Sequence, residues 1–167
     1  NTEFGNRDDS MVRWIRKADG SFDFDFAALD EYLALASRHI RPRVVMFAIM
    51  HGMPGDARGP GEVMVRDERT GRDEPWAVGL SGANKAEVER AWLAFARAVH
   101  GHMKAKGLEQ AMTFGLPLDG EPEPALRELM ARNFPGISWA AAPHQIGCPG
   151  YSAPQYKFIG TVRYFNN

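Results

Sequence analysis

The 167-residue sequence has one cysteine, Cys148, so no intramolecular disulfide can form and the redox compartment is left undecided. It has no excess of either charge: 20 basic and 21 acidic residues give a formal net charge of -1. Such a balance produces no long-range field for a polyanion, which argues against nucleic acid or an anionic membrane as the main partner. No apolar run approaches the roughly 18 residues that would suggest a bilayer-spanning helix. A G-x-G-x-x-G turn and a G-x-x-x-x-G-K-[ST] phosphate loop are both missing, as is any internal repeat at a fixed period. Targeting is not legible, and a start at Asn1 leads us to expect a processed N-terminus or a piece of something longer.

The sequence does contain the material of a folded domain, 44% hydrophobic and 25% charged, which excludes disorder, collagen and coiled coil. After Ser21–Phe26, a helix is expected with Asp25 as N-cap and an apolar stripe of Phe26, Leu29, Leu33, Ala36 and Ile40, ended by Pro42. Residues 44–50 are apolar throughout and read as an interior strand of a parallel sheet, covered on both faces. The long Gly-rich connection 51–83 contains a candidate hairpin: 62–66, a Thr70-Gly71 turn, then 75–78. A second helix opens at Asn84, with Glu87 placed for a capping box, and stops at Gly107. A strand over 111–118, a helix over 124–133 and a strand over 137–142 follow. Met11–Ile15 reads as a strand or an extended active-site loop, and 156–165 as a strand of unassigned partner.

Alternating helices and buried strands give βαβαβ order and an α/β fold. Two closures fit: a partial (β/α)8 barrel with about half of its strands, or an open parallel sheet. In either, loops at the C-terminal strand ends share one face. That rule selects His51, Asp119, Glu121 and His144, with Asn6, Arg7, Arg13 and Trp14 from the preceding polar run. Asp119 and Glu121 provide two carboxyls on one turn, enough for an ionised group and a proton donor in glycoside cleavage. The competing reading is that either acid caps the following helix. His51 and His144 fit substrate orientation, proton transfer or hydrogen-bonded structural roles; metal binding with Asp119, as in a metal-dependent hydrolase, is a further alternative, for which the two histidines lack a recognisable ligand spacing. His100 and His102 are two apart on a helix, point to different sides and read as surface residues. Trp92 and Trp139 read as packing residues; Trp14 and Trp76 are candidates for stacking on a sugar, with local packing as the alternative. Cys148 has no neighbouring base and reads as inert.

The runs Gly5–Trp14, Asp23–Leu33 and Trp92–Leu108 resemble catalytic-domain segments of glycoside hydrolase family 123 and its bacterial relatives, in the same order over roughly residues 5 to 145. The resemblance implies a (β/α)8 barrel and a retaining hydrolase of N-acetylgalactosamine-containing glycans whose nucleophile is the substrate's own acetamido group. It also implies an adjacent Asp-Glu pair before a proline, the Asp orienting the acetamido group and the Glu acting as general acid/base. Here Glu121 keeps its place before Pro122, while Gly120 separates it from Asp119. The resemblance thus makes Glu121 the expected proton donor and Asp119 the orienting group, with Asn6, Arg7, Arg13, Trp14, His51, Trp76 and His144 as substrate-binding candidates. No cofactor or metal is implied. The partner is a carbohydrate substrate, and the alternative is a non-catalytic carbohydrate-binding or assembly protein. Because a closed barrel takes about 250 residues, residues 1–167 are expected to be a single incomplete domain completed by the remainder of a longer polypeptide.

Overall fold

The computed structural model describes residues 10–48, 62–80, 82–116, 123–141 and 156–159. In chain order these form β1 (Arg13–Arg16), β2 (Phe22–Asp25), α1 (Ala27–His39), β3 (Val45–Ala48), β4 (Glu62–Asp67), β5 (Asp73–Ala77), α2 (Lys85–Ala105), a 3-10 turn (Glu109–Ala111), β6 (Met112–Leu116), α3 (Pro124–Asn133), β7 (Trp139–Ala141) and β8 (Tyr156–Ile159). They build two four-stranded sheets, ordered β2-β1-β4-β5 and β3-β6-β7-β8.

The first sheet follows from period-two sequence. In Phe22-Asp23-Phe24-Asp25 the rings are half-buried and the acids exposed, so this run, expected only to lead into a helix, is itself a strand. It pairs antiparallel with β1, so that of the expected Met11–Ile15 segment Arg13–Ile15 is strand, running on to Arg16, while Met11 and Val12 lie outside it. Asp25 still serves the helix: its Oδ1 accepts the Ala27 N–H at 2.9 Å, although the cap position is Phe26. The expected hairpin is present as β4 and β5, antiparallel, with Gly71 at φ 67 and Asp67 Oδ1 accepting the Arg69 and Thr70 amides. Pro75 is tolerated because β5 is an edge strand. The pairing of β1 parallel to β4 joins the two hairpins, an arrangement that local patterning does not announce.

The second sheet is wholly parallel. Its spatial order follows the chain order, β3-β6-β7-β8, without the reversal of a doubly wound sheet. The mixed α/β class is therefore as expected, with three helices. On β6, Met112, Thr113, Phe114 and Gly115 are all buried, so both faces are covered. Strand β3 departs from expectation: Phe47 is buried, but Val44 and Met46, on the alternate face, are 47% and 36% exposed. Among the described residues β3 is an edge of its sheet, with a neighbouring strand on one side only, so fewer side chains reach that face.

Helix α2 joins the two sheets. Its buried stripe, Val88, Ala91, Trp92, Phe95, Ala96, Val99 and Met103, belongs to one hydrophobic core with Trp14 and Val65 of the first sheet and Phe47, Phe114 and Trp139 of the second. The capping box expected at its start does not form: no side chain caps the helix, and it is the Asn84 carbonyl that accepts the Glu87 and Val88 amides. Its end is as expected. Gly107, at φ 70, donates to the Lys104 carbonyl and Leu108 to the Met103 carbonyl, the paired bonds that close a helix through a left-handed residue.

Candidate functional site

Parallel register aligns the C-terminal strand ends along one edge. Ala48 is opposite Gly115, Leu116 opposite Ala141, and Ala141 opposite Ile159. From this edge the sequence runs on to His51 after β3, to Asp119 and Glu121 after β6, and to His144 after β7. Those four residues, like Asn6 and Arg7, lie outside the described residues. So does Cys148.

The remaining candidates belong to the first sheet. Trp14 is 4% exposed, stacked on Phe95 at 5.1 Å and 16° and edge-on to Phe24 and Trp92 at 5.2 and 5.4 Å. A ring enclosed on these sides has little surface for a sugar, so its burial supports the packing alternative. Strand alternation puts Arg13, which is exposed, on the opposite face from Trp14; the two candidates do not converge. Trp76 is half-buried, 5.0 Å from Phe22, and retains accessible ring surface. Trp92 and Trp139 are core residues, and the Trp92 indole N–H donates to the Val78 carbonyl at 3.0 Å.

His100 and His102 are not the simple surface residues expected. Each is partly buried against a different carboxylate: His100 Nε2 meets Glu109 Oε1 at 2.9 Å and His102 Nε2 meets Asp30 Oδ1 at 2.6 Å. The His102 ring lies parallel to Phe26, centroids 4.1 Å apart. Lys106 Nζ also reaches Asp30, at 2.8 Å. Its hydrogen bond is the largest influence on the Asp30 carboxyl; burial opposes it, and the hydrogen bond and charge of His102 add to it, so that the pKa is held below its ordinary value. This cluster fastens α1 to α2. Among the described residues no group of three His, Cys, Asp or Glu side chains is arranged to hold a metal ion, and no helix is long and apolar enough to cross a membrane.

Two residues were invisible to sequence reasoning. Glu123, at the start of α3, accepts the Leu80 N–H through Oε2 at 3.0 Å, tying the chain after β5 to the helix that follows residues 117–122. A carboxylate at a helix start signals capping, and nothing local signals a partner 43 positions away. Arg16 lies over the adjoining Phe22 and Trp76 rings; its only sequence signal is its place two residues after Trp14 on the same strand face.

Comparison with known proteins gives the functional frame. A search of curated proteins finds no match. Among solved structures, the fold is similar to that in "The details of glycolipid glycan hydrolysis by the structural analysis of a family 123 glycoside hydrolase from Clostridium perfringens", with a TM-score of 0.61 and 15% sequence identity. The match covers 86% of this chain and 25% of that one, so this chain spans about a quarter of the solved protein's length. The family model for the glycoside hydrolase 123 catalytic domain matches residues 2–137. That match takes in β1 through α3, with the C-terminal ends of β3 and β6; the chain belongs to the glycoside hydrolase 123 catalytic-domain family.

Proposed function

We propose that this chain is part of a retaining glycosidase acting on N-acetylhexosamine-containing glycans, and that β3, β6, β7 and β8 are consecutive strands of a (β/α)8 barrel completed by further polypeptide. The observation that carries the reading is the family match over residues 2–137. The uninterrupted parallel order of the second sheet, with candidate residues following its C-terminal strand ends, supports it.

In this mechanism Glu121 protonates the glycosidic oxygen as the bond to the leaving group breaks. Asp119 orients the acetamido group, whose carbonyl oxygen attacks the anomeric carbon from the opposite side and forms a cyclic intermediate. Glu121, now ionised, then takes a proton from the water that opens this ring, returning the enzyme to its starting state. His51, His144, Asn6, Arg7 and Trp76 are the proposed substrate contacts. Trp14 is a weaker candidate because it is buried. The same burial weakens the non-catalytic alternative, which relies on Trp14 and Trp76 as a pair of ring platforms.

Glu121→Gln tests the reading in the complete protein with an aryl N-acetylhexosaminide. Hydrolysis is expected to fall by about 10²- to 10⁴-fold, the usual contribution of a positioned acid. Hydrolysis at the parent rate would reject the role. A thiazoline analogue of the cyclic intermediate should inhibit the parent; indifference to it, with activity on sugars lacking the acetamido group, would point to another mechanism.

A further inference from the structure

The inner face of the first sheet carries a guanidinium whose hydrogen-bonding capacity is unused. The Arg16 Cζ lies 5.4 Å from the Trp76 ring centroid and 5.8 Å from that of Phe22, and the two rings are 5.0 Å apart at 34°. A cation–π contact satisfies none of the N–H donors of the guanidinium, which lie in its plane. Arg16 Nε is buried without any hydrogen-bond partner, an expensive state for a donor. The terminal nitrogens have no protein partner among the described residues either.

Nearby acids are committed elsewhere. Asp67, opposite Arg16 in the parallel register, accepts the Arg69 and Thr70 amides. Glu68, whose amide donates to the Arg16 carbonyl, spends its carboxylate on Lys17 Nζ at 2.8 Å and the Ala18 N–H at 3.2 Å. An arginine held over two aromatic rings, half-buried and without a counter-ion among the described residues, is suited to a planar oxyanion, and the half-buried Trp76 beside it offers an apolar surface to the C–H face of a sugar.

We propose that Arg16, Phe22 and Trp76 form a binding site for the carboxylate of an acidic saccharide, with Arg16 taking the carboxylate through two parallel N–H···O bonds and Trp76 contacting the ring. The choice of a saccharide builds on the glycan reading above, whereas the anion recognition does not need it. The two readings fail separately, because Glu121→Gln should lower hydrolysis by about 10²- to 10⁴-fold and leave this binding unchanged.

The test is a titration of the ¹⁵N-labelled full chain followed at the Arg16 Nε–H and Trp76 indole N–H resonances, which Arg16→Lys and Trp76→Phe identify. Glucuronate should move both resonances saturably, glucose at the same concentration should move neither, and acetate should move Arg16 alone with about tenfold weaker binding. Arg16→Lys keeps the charge and loses the planar fork, so glucuronate binding should weaken about tenfold. Glucose matching glucuronate, acetate binding as tightly as glucuronate, no movement at all, or unchanged binding by Arg16→Lys would each overturn the proposal. The titrations of the parent decide the matter even if Arg16→Lys does not fold.

Discussion

In the β2-β1-β4-β5 sheet one face is packed with rings and the other is left to water, whereas at β6 of the β3-β6-β7-β8 sheet both faces are covered. The wet face of the first sheet carries Arg13, Asp23, Asp25, Glu62 and Arg66, and its cross-strand pair of Arg66 with Asp73 is fully exposed to screening. The second sheet has four consecutive buried residues on β6 and its buried threonine, Thr113, bonded to the Ser138 carbonyl. Connections explain the contrast. Hairpins leave a sheet face open, but each parallel crossover lays a helix across one. At β6 both faces are therefore occupied, and the room for chemistry there is at the strand end. In the first sheet, an inner face with a half-buried rim remains available.

The largest effect that can break this comparison is on the ring face. Trp14→Ala should cost roughly 3–5 kcal/mol in urea unfolding, the range for truncating a large buried aromatic. A loss below about 1 kcal/mol would mean that the face is not packed around this ring. In the second sheet, Thr113→Val keeps the shape and removes the hydroxyl. Because the Ser138 carbonyl still accepts the Phe114 N–H at 3.0 Å, the expected loss is only about 1 kcal/mol in the same measurement.

The smallest effect sharpens the link between the regions. Asp30 is 40% exposed, so solvent screening limits what its pairs with His102 and Lys106 contribute, and Asp30→Asn should cost about 1 kcal/mol or less. The sign of its pH dependence follows from the depressed folded-state pKa. The carboxylate contributes fully above its ordinary value of 3.8 and progressively less as pH falls toward the folded-state value. Parent and Asp30→Asn should thus converge in stability on acidification below about pH 4. Divergence there would exclude the ion cluster as the cause.

Legibility in the sequence divides along the same line. Helix α3 falls at the expected residues 124–133, with Leu126, Leu129 and Met130 buried as its spacing requires. The hairpin of β4 and β5 and the stop at Gly107 were also readable, because turns and caps are decided by neighbours along the chain. The β2-β1-β4-β5 sheet as a whole was not. Its centre is β1 paired with β4, joining residues 14–16 to 65–67, and no local pattern encodes a partner at that distance. In sequence Trp14 stays between stacking on a sugar and local packing for the same reason: beside polar Arg13 and after a polar run its surroundings are ambiguous, and only the sheet shows which way it faces. Of the candidate site, Arg13, Trp14 and Trp76 have described positions, and they occupy the first sheet rather than the edge the parallel strands define.

Helix α2 gives these separate observations a mechanical sense. Its 21 residues make a strut about 31 Å long. Near the middle, Trp92 and Phe95 grip the rings of the first sheet; toward the far end, His100 touches Phe134 and Glu109 beside the entry to β6, and His102 holds Asp30 of α1, the helix preceding β3. A rigid rod held at two places acts as a lever. Any change that tilts it within the aromatic layer is delivered to the elements preceding β3 and β6, so residues far from the parallel strand ends can retune those ends without touching them.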